Sequence, residues 1–114
     1  LPHYIQIAFE EEHENFAFGY WTRNTSNTDG YPTAAEFQIS NDGENWETVT
    51  VLSGLPATKA TRYSSDYVIA GKKFKYFRFN VISSSLNKNY FHIGEIYFYD
   101  VEVEVYDPET VPLD

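Results

Sequence analysis

The sequence predicts an all-β domain with antiparallel strands, arranged as a sandwich or a barrel. Aromatic residues make up 18% of the chain, apolar and polar residues alternate in several short segments, and turn-forming residues separate these segments. No segment has the 3.6-residue periodicity of a convincing amphipathic helix. Because 114 residues support one hydrophobic core, we expect a single domain over residues 1–106.

Strand-like alternation recurs seven times along the chain. The predicted strands are residues 3–9, 15–21, 34–40, 46–52, 64–69, 74–82 and 91–105. The separators carry turn chemistry, and they are residues 10–14, 24–32, 41–45, 53–59, 70–73 and 83–89.

The first separator, residues 10–14, reads Glu-Glu-Glu-His-Glu. The apolar residues that follow it alternate with a period of two rather than 3.6, which argues against a helix. We therefore interpret this run as a solvated acidic loop.

The third separator contains the turn Asn41-Asp42-Gly43. Gly tolerates a positive φ and Asp hydrogen-bonds its own local backbone, so the pair predicts a tight hairpin. Trp46 begins the returning strand, and we expect it to pack inside the domain.

The last two strands differ in how their faces are covered. In the strand 74–82, Phe77 and Phe79 lie on the face predicted to be core, whereas Tyr76 and Arg78 lie on a partly solvated face. The strand 91–105 has large side chains on both faces over residues 91–99. This pattern is typical of a strand that is covered on both sides or that forms one edge of a second sheet. Residues 107–114 contain two prolines and three acids and are predicted to be a linker.

The composition excludes several classes of function. The chain has no Cys, so disulfides, thiolate metal sites and a cysteine nucleophile are excluded. A formal net charge of −9 with eight Lys and Arg residues opposes binding to nucleic acid or anionic lipid. No apolar stretch reaches the roughly 18 residues of a transmembrane segment, and no basic start precedes an apolar region as it does in a signal peptide. The chain opens at Leu1 and contains no Met, which predicts an excised or processed piece of a longer protein.

Catalysis has little support in the sequence. Glycoside hydrolysis needs two placed carboxylates, and none of the 17 acids lies in a recognisable catalytic motif. Neither His3 nor His13 has the surroundings of a Ser-His-Asp arrangement. We therefore predict that the domain is not an enzyme.

Five segments follow one another in an order that is informative when taken together. The segment 36–46 is a strand that ends in Ser, an Asn-Asp-Gly turn and a Trp, and 75–79 reads Lys-Tyr-Phe-Arg-Phe. The other segments are His-Tyr-Ile-Gln-Ile-Ala-Phe (3–9), Phe-Ala-Phe-Gly-Tyr-Trp-Thr-Arg (16–23) and Ile-Gly-Glu-Ile-Tyr (93–97). In this order they resemble the discoidin family, also called the coagulation-factor type C domain, which includes the family 32 carbohydrate-binding modules. The family's opening strand and its Asp-rich loop have no counterpart ahead of Leu1.

The resemblance implies an antiparallel β-sandwich of the jelly-roll, galactose-binding-domain-like type, with ligands bound by loops at one end. In the first such loop, 21–32, Trp21 or Tyr31 would stack on a sugar, and Arg23 and Asn24 would bind its hydroxyl groups. The alternatives are a packing role for Trp21, a loop anchor for Tyr31, and a surface salt bridge from Arg23 to Asp29.

The second loop, residues 83–92, adds Asn89, Tyr90 and His92 as candidate ligand-binding residues. Tyr90 would face the ligand, whereas a structural role at the end of a strand is the preferred interpretation of His92. In relatives of this family, a Glu of the closing strand helps to bind a structural calcium, which makes Glu95 the one candidate metal ligand. The alternative for Glu95 is a pairing with Arg78 or with a backbone group.

These observations predict a non-catalytic carbohydrate-binding module of a larger exported or cell-surface protein, which we expect to be bacterial. The lack of Cys favours a bacterial exported protein or an intracellular one. Its expected partners are a glycan and neighbouring domains of the parent protein. The alternative is a protein-interaction or spacer domain with the same fold and no sugar site. Phospholipid binding, as in the coagulation factors, is disfavoured by the negative charge.

Overall fold

The computed structural model describes residues 1–100, and it contains six strands and one short 3₁₀ turn at Ser85–Asn87. The strands are β1 His3–Trp21, β2 Pro32–Ser40, β3 Glu47–Leu52, β4 Arg62–Ser64, β5 Val68–Ser84 and β6 Ile96–Tyr99. The predicted linker 107–114 and the last residues of the predicted strand 91–105 lie outside the described residues.

All of the strand pairs among these residues are antiparallel, and β1 belongs to two layers. Its first half pairs with β5 in a sheet of order β3-β2-β5-β1. Its second half runs between β4 and β6, with Gly19 opposite Ser64 and Phe18 opposite Phe98. The sheet therefore curls over on itself, and the prediction of an all-β antiparallel sandwich is confirmed.

The core lies between the two halves of this curled sheet and consists largely of phenylalanine. The Phe18 ring centroid lies 5.0 Å from those of both Phe77 and Phe79, which places the second half of β1 directly over β5. Fully buried aromatic side chains from β1, β2 and β5 surround this contact. They include Phe16, Tyr20, Phe37 and Phe74. The expected core face of the strand 74–82 is thus confirmed.

Two predicted loops are in fact parts of long strands. The acidic run 10–14 lies within β1, and the separator 70–73 lies within β5. The pairing between these strands shifts register between Ala8 and His13 and again between His13 and Asn15. Because the chain bends here from one layer to the other, the side chains Glu10 to Glu12 remain exposed while the backbone stays extended.

Two other predicted boundaries are corrected. The predicted strand 91–105 begins only at Ile96, since residues 91–95 form a loop. The predicted strand 64–69 is split, because β4 ends at Ser64 and β5 begins at Val68.

The predicted hairpin between β2 and β3 is confirmed, and Asp42 organises it. Its carboxylate accepts hydrogen bonds of 2.8 Å from the backbone amides of both Glu44 and Asn45, and one of 2.6 Å from the Asn45 side chain. The Ser40 hydroxyl also donates to Asp42, at 3.0 Å. Gly43 has the positive φ, 78°, that the turn requires.

Trp46 was predicted to pack inside the sandwich, but it lies on the outer face of the first sheet. The Arg78 guanidinium lies 3.9 Å from the Trp46 ring centroid and 3.8 Å from that of Tyr4, so it is held between two aromatic rings. This outer position follows from the register, because Phe77 and Phe79 occupy the core face and Arg78 between them must point outward. The contact is a cation–π interaction on a solvated surface.

Acid should weaken the hairpin through Asp42. Its hydrogen bonds to the Asn45 and Glu44 amides hold the pKa of the Asp42 carboxyl well below its usual range. A lowered folded-state pKa stabilises the protein above the ordinary Asp value of about 3.9, and the contribution is lost as the pH falls below that value. We expect Asp42→Ala to lower the melting temperature at pH 7 and to flatten its decline below about pH 4.

The matched control is Glu44→Ala, which removes a neighbouring exposed carboxylate that accepts no hydrogen bond among the described residues. Melting curves between about pH 2 and pH 7 would compare the variants with the wild type. If the melting temperatures of Asp42→Ala and the wild type fall equally with pH, the role given to this carboxylate is contradicted.

Candidate functional site

The two loops expected to carry the site lie at the same end of the sandwich. Residues 22–31 connect β1 in the second layer to β2 in the first, and residues 85–95 connect β5 back to β6. The start of β1 lies at this end too, because an imidazole nitrogen of His3 lies 2.9 Å from the Asn89 carbonyl oxygen.

The backbone beneath the loops is fixed by hydrogen bonds around the end of β1. The Trp21 amide donates to the Glu95 carbonyl at 2.8 Å, and the Gly94 amide donates to the Trp21 carbonyl at 2.7 Å. A Cβ at Gly94 would lie 3.0 Å from that same carbonyl oxygen, so a glycine suits this close approach. On the other side, the buried Thr22 hydroxyl donates to the Thr58 carbonyl at 2.6 Å.

An open depression of about 370 Å³ lies above this base. Its lining combines Trp21, which is 38% exposed, with the exposed side chains of Arg23, Asn24 and Glu95. The structure therefore brings together three of the predicted sugar-binding residues and the predicted metal ligand. We call this surface the Trp21 depression.

The carboxylate of Glu95 has other neighbours than the two predicted for it, which were a calcium ion or a pairing with Arg78 or a backbone group. Its carboxylate accepts a 2.5 Å hydrogen bond from the Tyr97 hydroxyl, and this bond raises the pKa of Tyr97. Arg62 lies 5.6 Å from the centroid of the Tyr97 ring. The alternative pairing of Glu95 with Arg78 is wrong, since Arg78 lies on the outer face of the first sheet between Tyr4 and Trp46.

The residues around Glu95 do not fit a calcium ion. Calcium takes six to eight oxygen ligands, most often from several carboxylates and carbonyl groups. Within residues 1–100, no group of three or more Asp, Glu, His or Cys side chains is arranged to hold a metal ion. Arg23 lines the same depression, and its positive charge would oppose a cation.

Two predicted residues of the second loop, Tyr90 and His92, tie the two loops together instead of lining the Trp21 depression. The Tyr90 hydroxyl donates to the Asp29 carboxylate at 2.6 Å, and His92 Nε2 lies 2.8 Å from the Asp29 carbonyl oxygen. The first of these bonds lowers the pKa of Asp29 and raises that of Tyr90. Both rings pack against Gly30, where an added Cβ would lie 2.8 Å from Tyr90 and 3.0 Å from His92. His92 therefore has the structural role that was preferred for it.

Tyr31 was a predicted stacking residue for a sugar, but it cannot take this role because it is fully buried. Its hydroxyl lies 3.5 Å from the carbonyl oxygens of Arg23 and Thr25, and its ring packs edge-on against His92. It anchors the first loop from below, as the alternative interpretation held. Asn89 is exposed, with its carbonyl oxygen directed at His3.

Arg23 forms no ion pair within residues 1–100, and Asp29 is held by Tyr90 and not by Arg23. The alternative of a surface salt bridge between Arg23 and Asp29 is therefore wrong.

Sequence reasoning missed Thr22 and Gly94, which build the base of the Trp21 depression. For Gly94 the available signal was its place directly before Glu95, where a glycine interrupts a run of bulky residues.

Comparison with known proteins identifies the family of the domain. The model of the F5/8 type C domain matches residues 1–96, which is most of the chain. The chain belongs to the F5/8 type C domain family. No curated protein shows significant similarity to this type C domain.

Two solved structures share the fold of this type C domain. One is CBM32-3 from a family 31 glycoside hydrolase of Clostridium perfringens, with a TM-score of 0.73 and 21% identity over 89% of this chain and 68% of that one. The other is a fragment of a putative chitobiase from Bacteroides thetaiotaomicron, with a TM-score of 0.67 and 20% identity over 93% of this chain and 65% of that one. The type C domain thus spans about two thirds of the length of either structure. No helix among the described residues is long and apolar enough to cross a membrane.

Proposed function

We propose that this type C domain is a non-catalytic carbohydrate-binding module that holds a glycan in the Trp21 depression. The observation that carries the proposal is the meeting of a partly exposed indole with a guanidinium, an amide and a carboxylate in one open depression. Ligand sites typically combine an apolar surface with a few convergent polar groups in this way.

The chemistry of these four side chains suits a sugar. The Trp21 ring offers a flat apolar surface for the C–H face of a pyranose. Arg23 donates hydrogen bonds, Glu95 accepts them, and Asn24 does both, so neighbouring hydroxyl groups find partners of either kind. The carboxylate of Glu95 already accepts one bond from Tyr97, which holds it in place for a second donor.

A non-catalytic role is supported by the single carboxylate in the depression. A glycosidase places two carboxyl groups about 5–10 Å apart across the scissile bond. Among the residues that line the Trp21 depression, Glu95 is the only acid. Binding without hydrolysis is therefore the function that the side chains support.

The two similar structures support a place for the domain in a larger protein. CBM32 denotes a family of carbohydrate-binding modules, and both structures come from bacterial proteins named after the hydrolysis of glycans. We infer that this domain likewise accompanies other domains in an exported or cell-surface bacterial protein. One shallow site binds weakly, so retention on a glycan surface would depend on several sites acting together.

A glycan array followed by calorimetric titration tests the proposal. Arg23→Ala and Trp21→Ala should each weaken binding by about tenfold or more, since a hydrogen bond to a charged group is worth about 1.5–3 kcal/mol and a central aromatic contact about as much. Asn24→Ala should weaken binding less, and Asn27→Ala is its matched control, because Asn27 is an exposed amide of the same loop outside the depression.

Unchanged titrations for both Trp21→Ala and Arg23→Ala would show that the glycan binds elsewhere. The spacer alternative makes a different prediction, namely that the folded wild type binds no glycan on the array at all. Circular dichroism of each variant would establish that a loss of binding does not come from a loss of fold.

A further inference from the structure

A second depression, of about 330 Å³, lies at the same end of the domain. It shares no lining residue with the Trp21 depression, and five of its seven lining residues carry a hydroxyl group, while most of its accessible surface is apolar. The lining residues are Thr25, Ser26, Thr28, Tyr31, Ala57, Thr58 and Lys59. We call it the Lys59 depression.

Only a narrow ridge of backbone separates the two depressions. Arg23 and Asn24 line the first, and the very next residue, Thr25, lines the second. The ridge is supported from below by the Tyr31 hydroxyl, 3.5 Å from the Arg23 and Thr25 carbonyl oxygens. The Ala60 amide, next to Lys59, donates to the Arg23 carbonyl at 3.2 Å. The two depressions are therefore neighbours across one segment of chain whose position is fixed.

The Lys59 depression offers polar groups that are not used within the protein. Among the described residues, the hydroxyls of Ser26 and Thr28 form no hydrogen bond to another protein group, whereas the Thr58 hydroxyl is paired with that of Thr61 at 2.6 Å. Hydroxyl groups both donate and accept, which suits the hydroxyls of a sugar. Ala57 contributes exposed apolar surface to the wall, whereas the fully buried Tyr31 lies behind the surface and offers no contact to a ligand.

Charge distinguishes the two depressions. In the Trp21 depression the cation Arg23 is accompanied by the anion Glu95. The Lys59 depression has a cation and no acid in its lining, and within residues 1–100 Lys59 forms no ion pair. In a chain with a net charge of −9, this is a local positive site that a negatively charged group can reach from solvent.

We propose that the Lys59 depression is a second subsite, which binds the sugar unit next to the one in the Trp21 depression and prefers a unit that carries a carboxylate or a sulfate. This inference rests on the proposed function. The domain would then select acidic oligosaccharides over single sugars. The gain from the added charge is modest, because an exposed ion pair is worth about 0–1 kcal/mol, equivalent to at most about fivefold in affinity.

The test compares matched ligands on the chain of 114 residues. The probes are free monosaccharides, neutral disaccharides, and the same disaccharides carrying a uronic acid, a sialic acid or a sulfate, first on an array and then by calorimetry. The wild type should bind the acidic form about threefold to fivefold more tightly than its neutral counterpart. The preference should shrink when the salt concentration rises from about 0.05 to about 0.5 M, because salt screens exposed charges.

Three variants locate this preference. Lys59→Ala should remove the preference for the acidic form and leave monosaccharide binding unchanged. Lys73→Ala removes the same charge at the opposite end of the domain, beside the β2–β3 hairpin, and should change neither. Thr28→Val should weaken binding of disaccharides, acidic or neutral, by about threefold, since it removes one hydroxyl while keeping the shape of the side chain.

The outcomes separate this inference from the proposed function. Monosaccharide binding that depends on Trp21, together with an acidic preference that persists in Lys59→Ala, would overturn the second subsite alone. Equal affinity of the wild type for acidic and neutral disaccharides would do the same. If the wild type binds none of the probes, both the proposed function and the subsite fail. Preferences among uronic acid, sialic acid and sulfate would identify which acidic group is bound.

Discussion

Replacing Phe18 with alanine should lower the free energy of unfolding by about 3–5 kcal/mol, the range found for large aromatic side chains in packed cores. Phe18 is fully buried, and its ring lies 5.0 Å from Phe77 and Phe79 and 5.5 Å from Phe37. The substitution removes the contacts of Phe18 with all three rings at once, and a cavity remains because the strands on both sides are held by their own pairing.

Chemical denaturation with urea, monitored by fluorescence, measures this loss. The matched control is Ile69→Ala, which also truncates a large apolar side chain of a paired strand, but one that is 75% exposed. We expect that control to cost less than about 1 kcal/mol. Similar costs for the two variants would mean that Phe18 does not sit at the contact between the layers.

Replacing Gly30 with alanine should give the second large effect. Gly30 has a φ of 77°, which costs a residue with a Cβ about 1–2 kcal/mol. The new methyl group would also lie 2.8 Å from the Tyr90 ring and 3.0 Å from His92, so these side chains must move. Their movement strains the two bonds to Asp29 that tie the loops together. We expect a total loss of about 2–4 kcal/mol.

Gly71→Ala separates the two contributions to this loss. Gly71 has nearly the same φ, 78°, but beyond its two neighbours in the chain no atom of the described residues lies within 4 Å of the position that an added Cβ would take. It should therefore lose only the conformational part, about 1–2 kcal/mol. If the urea midpoints of the two variants coincide, the packing of Tyr90 and His92 against Gly30 contributes no stability.

The fold was largely predictable because most strands keep the alternation of a half-buried sheet. Phe77 and Phe79 point inward and Arg78 outward, as their spacing requires. The prediction failed at the bend of β1 and β5, where the run 10–14 and the segment 70–73 are strands with largely exposed side chains. Local sequence cannot distinguish such a strand from a loop, because the alternating pattern comes from burial of one face, and neither face is well buried there.

Only the part of the site that the first loop supplies could be predicted from the sequence. Trp21, Arg23 and Asn24 follow a strand end, so their position at the edge of the sandwich could be inferred from the sequence. The burial of Tyr31 and the pairing of Tyr90 with Asp29 depend on contacts between distant segments, 61 positions apart for the second, which no local pattern encodes. Trp46 was misplaced for a similar reason, since an aromatic residue after a turn can face either side of a sheet.

The passage of β1 from one layer into the other joins the two layers through one continuous strand. Separating the layers would expose the phenylalanine core, in which Phe18 of the second half of β1 packs on Phe77 and Phe79 of β5, so we expect opening of the sandwich and global unfolding to be one cooperative event. The amide hydrogens of residues 16–20 should then be among the slowest to exchange. A ligand held at the end of this strand meets a platform that is already ordered, and binding loses little conformational entropy there.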